Sequence, residues 1–165
     1  MMMTPSDLLA LIDARAAEDA EFAALVAARN DTAIAAALST GRTRIDPTTK
    51  FASLGIAERH GALNGLPGPL AAELVLQKLE GFAALAVQSP DPATKLLGGA
   101  VQRQMKHLEG SGMAVGSPAV AAMLAVIVQA DGITQAEADA LVAVARVADP
   151  IGVDAVSMAL NSRGA

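Results

Sequence analysis

Apolar residues recur along most of this chain at the three- and four-residue spacing that places them on one face of a helix. Over residues 6–29 the spacing is kept by Leu8, Ile12, Phe22 and Val26. This stretch predicts either one long helix or two short helices. No segment alternates apolar and polar residues with the two-residue period of a half-buried strand. The pattern therefore predicts an all-α protein.

Helix starts are marked by residues that cap exposed backbone amides. Asp91 and Ser117 are each followed by proline, an arrangement that favours a helix beginning at the proline. Thr134 and Glu137 have the spacing of a capping box, in which each side chain bonds to a backbone amide of the other's turn. Asp31 is predicted to cap a short alanine-rich helix.

Longer helices are predicted in the second half of the chain, beginning with an apolar stripe over residues 69–87. Residues 119–130 are apolar almost all round, and a helix of that kind normally lies at the buried centre of a domain. A short helix is predicted over residues 153–160. Together these patterns predict a compact bundle of about six to seven helices in a single domain covering residues 1–165.

Residues 40–68 form the least regular part of the chain. They contain seven of the Gly and Pro residues, together with several Thr and Ser, and such composition predicts loops and short turns. A long loop inside a compact domain is usually functional or ordered by a partner. We therefore expect an irregular segment between the N-terminal helices and the main bundle.

Composition supports helices packed through small side chains. The hydrophobic fraction is 53% but the aromatic fraction only 2%, so Ala, Leu, Val and Ile supply the core. Cysteine is absent, which excludes disulfides and thiolate chemistry. No apolar run reaches the ~18 residues of a membrane span, and the N-terminus lacks a signal-peptide pattern. We expect no membrane association and a protein that stays where it is made.

The charge pattern argues against a general nucleic-acid-binding protein. The net charge is −5, whereas such proteins usually carry a basic face, so only local contact with nucleic acid is expected. Residues 1–31 carry a net −4, residues 32–131 a net +1, and residues 132–165 a net −2. Because the two ends of the chain are acidic and the middle is slightly basic, an end of one copy could contact the middle of another. Ordinary solvated helix faces would give the same pattern.

The chain has few residues able to carry chemistry. The two histidines, His60 and His107, lie far apart in the sequence, and neither has a second metal ligand three or four residues further along the chain. Glu58 and His60 form a compact polar group with the intervening Arg, which leaves a hydrolase as a minor hypothesis beside an exposed helix end. We expect no catalytic residues, no metal and no cofactor.

Two basic groups are the candidate interface residues. Both lie in the part of the chain with net positive charge, and the second is followed by no acidic residue until Glu109. The residues are Arg42, Arg44 and Lys50 in the first group, and Lys95, Arg103 and Lys106 in the second. They could meet the acidic ends of a neighbouring copy or simply be solvated.

Several stretches resemble a loosely defined group of small tailed-bacteriophage proteins encoded among virion-assembly genes. They are FAALVAARNDTAIA at residues 22–35, LSTGR at 38–42, DGITQAEADAL at 131–141 and ADPI at 148–151. The resemblance implies a virion or morphogenesis role without catalysis, at the head–tail junction or in the tail. It further implies copies of itself and other virion proteins as partners, first in the bacterial host cytoplasm and then in the virion.

The leading hypothesis is accordingly a structural or assembly protein that packs in several copies, with the acidic ends meeting the basic middle. The alternative is a small monomeric adaptor or regulatory domain that binds one protein partner in a groove between helices.

Overall fold

The computed structural model describes residues 3–164 and is 66% helical, which confirms the all-α class. Within these residues there are nine α-helices, more than the six to seven predicted. In chain order the elements are α1 (Pro5–Glu18), α2 (Ala20–Ala27), α3 (Asp31–Ser39), β1 (Thr43–Ile45), α4 (Ser53–Arg59), α5 (Gly68–Ala86), α6 (Pro92–Glu109), α7 (Pro118–Gln129), α8 (Gln135–Ala143), β2 (Arg146–Ala148) and α9 (Val153–Asn161).

The chain divides into two compact units. The first unit comprises residues 1–44 and 148–165, and the second comprises residues 45–147. The chain passes from one unit to the other within β1 and β2, which pair as a two-stranded sheet. That the whole chain forms one domain stays a prediction.

In the first unit, α1, α2, α3 and α9 surround a small apolar core. Ile12 of α1, Ile34 of α3 and Val156 of α9 are fully buried in it. The alternative of two short N-terminal helices is the one observed, because the Asp19 side chain accepts hydrogen bonds from the amides of Glu21 and Phe22. Asp19 therefore ends α1 and starts α2.

The cap of α3 differs from the prediction. The side chain of Asn30 accepts a hydrogen bond from the Ala33 amide at 3.1 Å, so Asn30 and not Asp31 is the cap. Asp31 instead becomes the first helical residue, and its side chain accepts a hydrogen bond from the Ser157 hydroxyl in α9. Both residues can cap helices, and only the fold decides between them.

The second unit is built around α5, whose buried residues include Val75 and Leu79. Helix α6 packs closely beside it at Gly98, where an added Cβ would lie 2.7 Å from the Val87 amide nitrogen and 2.8 Å from the Ala86 Cβ. Glycine is required there because the two backbones approach too closely for any side chain.

Helix α7 does not lie at the centre of its unit, so the prediction made from its composition is wrong. Only Val120, Leu124 and Ile127 are buried, and they follow the spacing of a single helix face. The opposite face is exposed although it is also apolar, and Val126 is 46% exposed. An apolar composition indicates that a helix can be buried on every side, but it does not indicate whether the rest of the same chain has enough helices to cover every side.

The segment at residues 40–68 is more ordered than its composition predicts. It contains β1 and α4, and Phe51 pairs with Met113 through backbone hydrogen bonds of 3.0 and 2.9 Å. The sequence predicted no strands, and β1 and β2 correct that prediction. Each strand has three residues, which is too short to display an alternating pattern.

Candidate assembly surfaces

Helix α6 carries three basic side chains on one face, which we call the α6 stripe. Lys95, Arg103 and Lys106 are all exposed, and at 3.6 residues per turn they fall within about 80° of arc. The buried residues Val101 and Leu108 lie on the opposite side of the helix. Among the residues that the structure describes, none of the three basic side chains is in an ion pair. This stripe is the part of the predicted interface that the fold brings together.

Leu96 adds an apolar group to the edge of the stripe. It is 74% exposed and lies at about 100° on the same helical wheel, next to Arg103. Leu96 is not among the interface residues predicted from the sequence, because that prediction rests on positive charge. An exposed leucine beside unpaired basic groups is typical of a contact surface.

Arg42 and Arg44, in the first unit, are less free to contact a partner. Arg42 Nη2 lies 2.8 Å from Asp149 Oδ2, and Arg44 Nε lies 3.7 Å from Asp149 Oδ1. The Asp149 amide also donates to the Arg42 carbonyl at 3.1 Å. Asp149 neutralises much of this predicted patch. In the sequence, Asp149 is separated from both arginines by more than 100 residues, so nothing local indicates this pairing.

A cavity of about 500 Å³ opens beside this charged group in the first unit. Its wall is apolar at Leu8 and Ile151, and the two arginines and Asp149 line the other side. Only one net positive charge remains among those three side chains. The cavity is large enough for a side chain or small ligand, but its charges already satisfy one another in large part.

Lys50 belongs to the second unit and lies near the end of α6. It lines a cavity of about 230 Å³ together with His107, Ser111 and Ser117. The Nδ1 atom of His107 lies 3.1 Å from the Ser111 hydroxyl. Lys50 and His107 are both exposed, so this cavity is a polar surface depression.

The two units do not reproduce the charge contrast seen along the chain. The first unit has five basic and eight acidic side chains, and the second has seven basic and nine acidic, giving net charges of −3 and −2. The contrast exists between local surfaces instead. Glu18 and Glu21 are exposed in the first unit, whereas the α6 stripe is positive in the second.

A groove runs between α7 and α8 in the second unit, with a volume of about 460 Å³. Leu124, Ala138 and Val142 form its apolar floor. Ala121 and Ala125 lie along one rim, and Gln135, Asp139 and Arg146 follow the other. The rim residues are exposed, so the groove is open to solvent along its length. None of the six predicted interface residues lines it.

The wall formed by α8 is held in place by a buried carboxylate. Glu137 is fully buried, and its Oε1 accepts hydrogen bonds from Lys78 Nζ at 2.6 Å and Asn64 Nδ2 at 2.9 Å. Its Oε2 accepts from the Thr134 amide at 2.9 Å, which completes the predicted capping box. Burial acts to raise the pKa of Glu137, but the hydrogen bonds from Lys78 and Thr134 outweigh burial and leave the pKa lowered. The group ties α8 to α5.

Of the two residues considered for hydrolysis, one is buried and the other exposed. His60 is buried, and its Nδ1 lies 2.8 Å from the Gly61 carbonyl oxygen. Glu58 is exposed, and the guanidinium of Arg59 lies 5.1 Å from the centre of the Phe51 ring. Over residues 3–164, no group of three or more His, Asp or Glu side chains is placed to hold a metal ion.

Compared with protein-family models, with curated proteins and with solved structures, the chain matches none. In the described part of the chain, every helix is too short or too polar to cross a membrane.

Proposed function

We propose that this chain is a non-catalytic structural or assembly protein of a tailed bacteriophage that acts by packing in several copies. Its partners are further copies of itself and other virion proteins, at the head–tail junction or in the tail. It is made in the host cytoplasm and then enters the virion. The resemblance of residues 22–35, 38–42, 131–141 and 148–151 to phage assembly proteins supplies the setting.

The observation that carries the proposal is the unpaired positive stripe of α6. Three exposed basic side chains on one face, with an exposed leucine beside them, form no ion pair among the described residues, although Lys106 lines a surface depression together with Glu80 of α5. Exposed acidic side chains are available elsewhere on the chain. Asp7 and Glu18 lie within about 20° on the outer face of α1. A positive surface on one copy can therefore meet a negative surface on the next.

The test is the absolute mass in solution, measured by light scattering after size exclusion over a range of protein and salt concentrations. We expect oligomers that grow with protein concentration and weaken as salt rises, because salt screens exposed charges. The triple variant Lys95→Glu, Arg103→Glu and Lys106→Glu should stay smaller than the wild type at every concentration.

The matched control exchanges the basic residues without changing charge, as Lys95→Arg, Arg103→Lys and Lys106→Arg. If charge is the cause, this control should assemble like the wild type. Equal assembly of the charge-reversed variant and the control would contradict a role for the stripe. A wild-type chain of 16.6 kDa at all concentrations would remove self-assembly from the proposal.

The arginines near β1 need a different design. Arg42→Glu with Arg44→Glu also places like charges around Asp149, so lost assembly could follow from a local change in the first unit. Adding Asp149→Arg restores the attraction within the unit. If assembly is lost both in this double arginine variant and in the variant that also carries Asp149→Arg, with helicity unchanged in each, the two arginines would lie in an interface.

A second candidate function is a monomeric adaptor that binds one protein partner. The groove between α7 and α8 favours it, because an apolar floor beside a rim of polar side chains can hold an amphipathic helix. A wild-type chain that stays monomeric alone and binds a single host or phage protein with one-to-one stoichiometry would favour the adaptor over multi-copy packing.

A further inference from the structure

The exposed face of α7 carries apolar side chains that are not buried when this chain folds. Ala121, Ala122 and Ala125 are exposed, and Val126 beside them is 46% exposed. Small side chains at positions four apart allow another helix backbone to approach closely. The same face continues into the groove, whose floor is Leu124 together with residues of α8.

The groove has one acidic and one basic group on the same rim. Asp139 lies in α8, and Arg146 lies just beyond the end of that helix in β2. In the described part of the chain neither side chain is in an ion pair, and Asp139 accepts only a hydrogen bond from Gln135, at 2.7 Å. Between these charges the rim carries no further charged residue.

This order of charges is complementary to itself. In a two-fold contact every pairing occurs twice: if residue i of one copy contacts residue j of the other, then residue j of the first copy also contacts residue i of the second. Turned end to end, the acidic end of one rim faces the basic end of the other. The middle of the rim, at Ala143, is then nearest the symmetry axis, and the apolar floors cover each other.

We propose that the groove between α7 and α8 is the site where a second copy of this chain docks about a two-fold axis. Asp139 of each copy meets Arg146 of the other, while the exposed face of α7 is covered by the paired copy. This inference rests on the proposed multi-copy packing and names the partner and surface of one contact. The α6 stripe does not line the groove, so it stays available for contacts with further copies.

The first test is a charge exchange between the two rim residues. Asp139→Arg alone or Arg146→Asp alone places like charges opposite each other twice in a two-fold dimer. Each single variant should raise the dimer dissociation constant roughly tenfold, as measured by analytical ultracentrifugation. The double variant Asp139→Arg with Arg146→Asp should restore dimerisation to near the wild-type value, because the same pairs form with their signs exchanged.

The second test uses the absence of cysteine from the natural sequence. Ala143→Cys introduces one thiol next to the predicted axis, and a short bis-maleimide should join two copies at that residue. Ala84→Cys on the exposed side of α5 is the control, since it is a helical alanine of the second unit that is more exposed than the half-buried Ala143 and does not line the groove. Cross-linked dimer should form from the first variant and not from the second.

The outcomes separate this inference from the proposed function. A wild-type chain that assembles, with assembly unaffected by either single charge variant, would overturn the docking site and leave multi-copy packing standing. The same holds if the double variant stays as weak as the single variants, or if both cysteine variants cross-link equally. A wild-type monomer at every concentration would overturn both the docking site and self-assembly.

Discussion

Replacing Lys78 by Met should destabilise the second unit strongly, because it leaves a buried carboxylate without its positive partner. Glu137 is fully buried, whereas the Lys78 side chain is 38% exposed. After the substitution, Glu137 keeps only the hydrogen bonds from Asn64 and the Thr134 amide. Methionine retains the length of the lysine stem, so the change removes the charge and its hydrogen bond with little loss of packing.

The size of the effect follows from burial of the two partners. Removing one member of a fully buried ion pair costs about 3–5 kcal/mol. Water reaches the Lys78 side of this pair, so we expect a loss of roughly 2–4 kcal/mol in the free energy of unfolding. That is a large share of the ~5–15 kcal/mol by which folded proteins are stable.

The assay is urea unfolding followed by circular dichroism, since the chain has no Trp or Tyr for fluorescence. Hydrogen exchange at the amides of α8 locates the change within the second unit. The matched control is Lys95→Met on the exposed face of α6, measured at a protein concentration low enough for the chain to be monomeric, where no ion pair is lost and the effect should stay within about 0.5 kcal/mol.

The loss should depend on pH in one direction. The pKa of Glu137 is lowered in the folded chain, so its contribution to stability is present above its unfolded pKa and declines as pH falls through the folded pKa. Without Lys78, burial raises that pKa and the carboxyl takes up a proton at higher pH. The difference in the free energy of unfolding between wild type and Lys78→Met should therefore become smaller as the pH is lowered. Equal effects of Lys78→Met and Lys95→Met at neutral pH would refute a buried, charged Glu137.

Three further predictions test local features. Gly98→Ala should destabilise by about 1–3 kcal/mol in urea unfolding because its Cβ would clash with the backbone at Val87, whereas Gly81→Ala, with open space around its Cβ, should stabilise α5 by about 0.5–1 kcal/mol. Ser117→Ala removes the side-chain cap of α7 and should cost about 1 kcal/mol in the same assay. The pKa of Asp46 is held well below its usual range by hydrogen bonds from Thr49 and Thr48, so Thr49→Val should raise it in an NMR titration of the carboxyl carbon. An unchanged titration would contradict that hydrogen bond.

The helix starts were predictable because capping acts within one turn of the chain. Asp91 accepts from the Thr94 amide at 2.7 Å, and Ser117 accepts from the Val120 amide at 3.3 Å. Residues this close in sequence meet whenever the helix forms, so their types and spacing predict the cap, except where two capping residues are adjacent, as at Asn30 and Asp31. The all-α class follows from the same local rules together with the apolar spacing.

The charge partners were not predictable because they join distant parts of the chain. Asp149 pairs with Arg42 across 107 positions, and Glu137 pairs with Lys78 across 59. Glu137 was correctly assigned to a capping box, and nothing local indicated that its second oxygen would anchor a lysine of α5. For the same reason a patch that is basic in the sequence is largely neutralised at Arg42 but unpaired on α6.

The wrong prediction for α7 bears most directly on function. A helix that is apolar all round is normally covered on every side. Here the chain covers Val120, Leu124 and Ile127 and leaves the face at Val126 open. Each Å² of apolar surface left in water instead of being buried loses about 25 cal/mol of stabilisation. Polar residues on the open side of α7 would leave the packing of its buried side unchanged. The sequence thus retains apolar residues that folding of one chain does not use, which is expected if the remaining cover comes from another molecule.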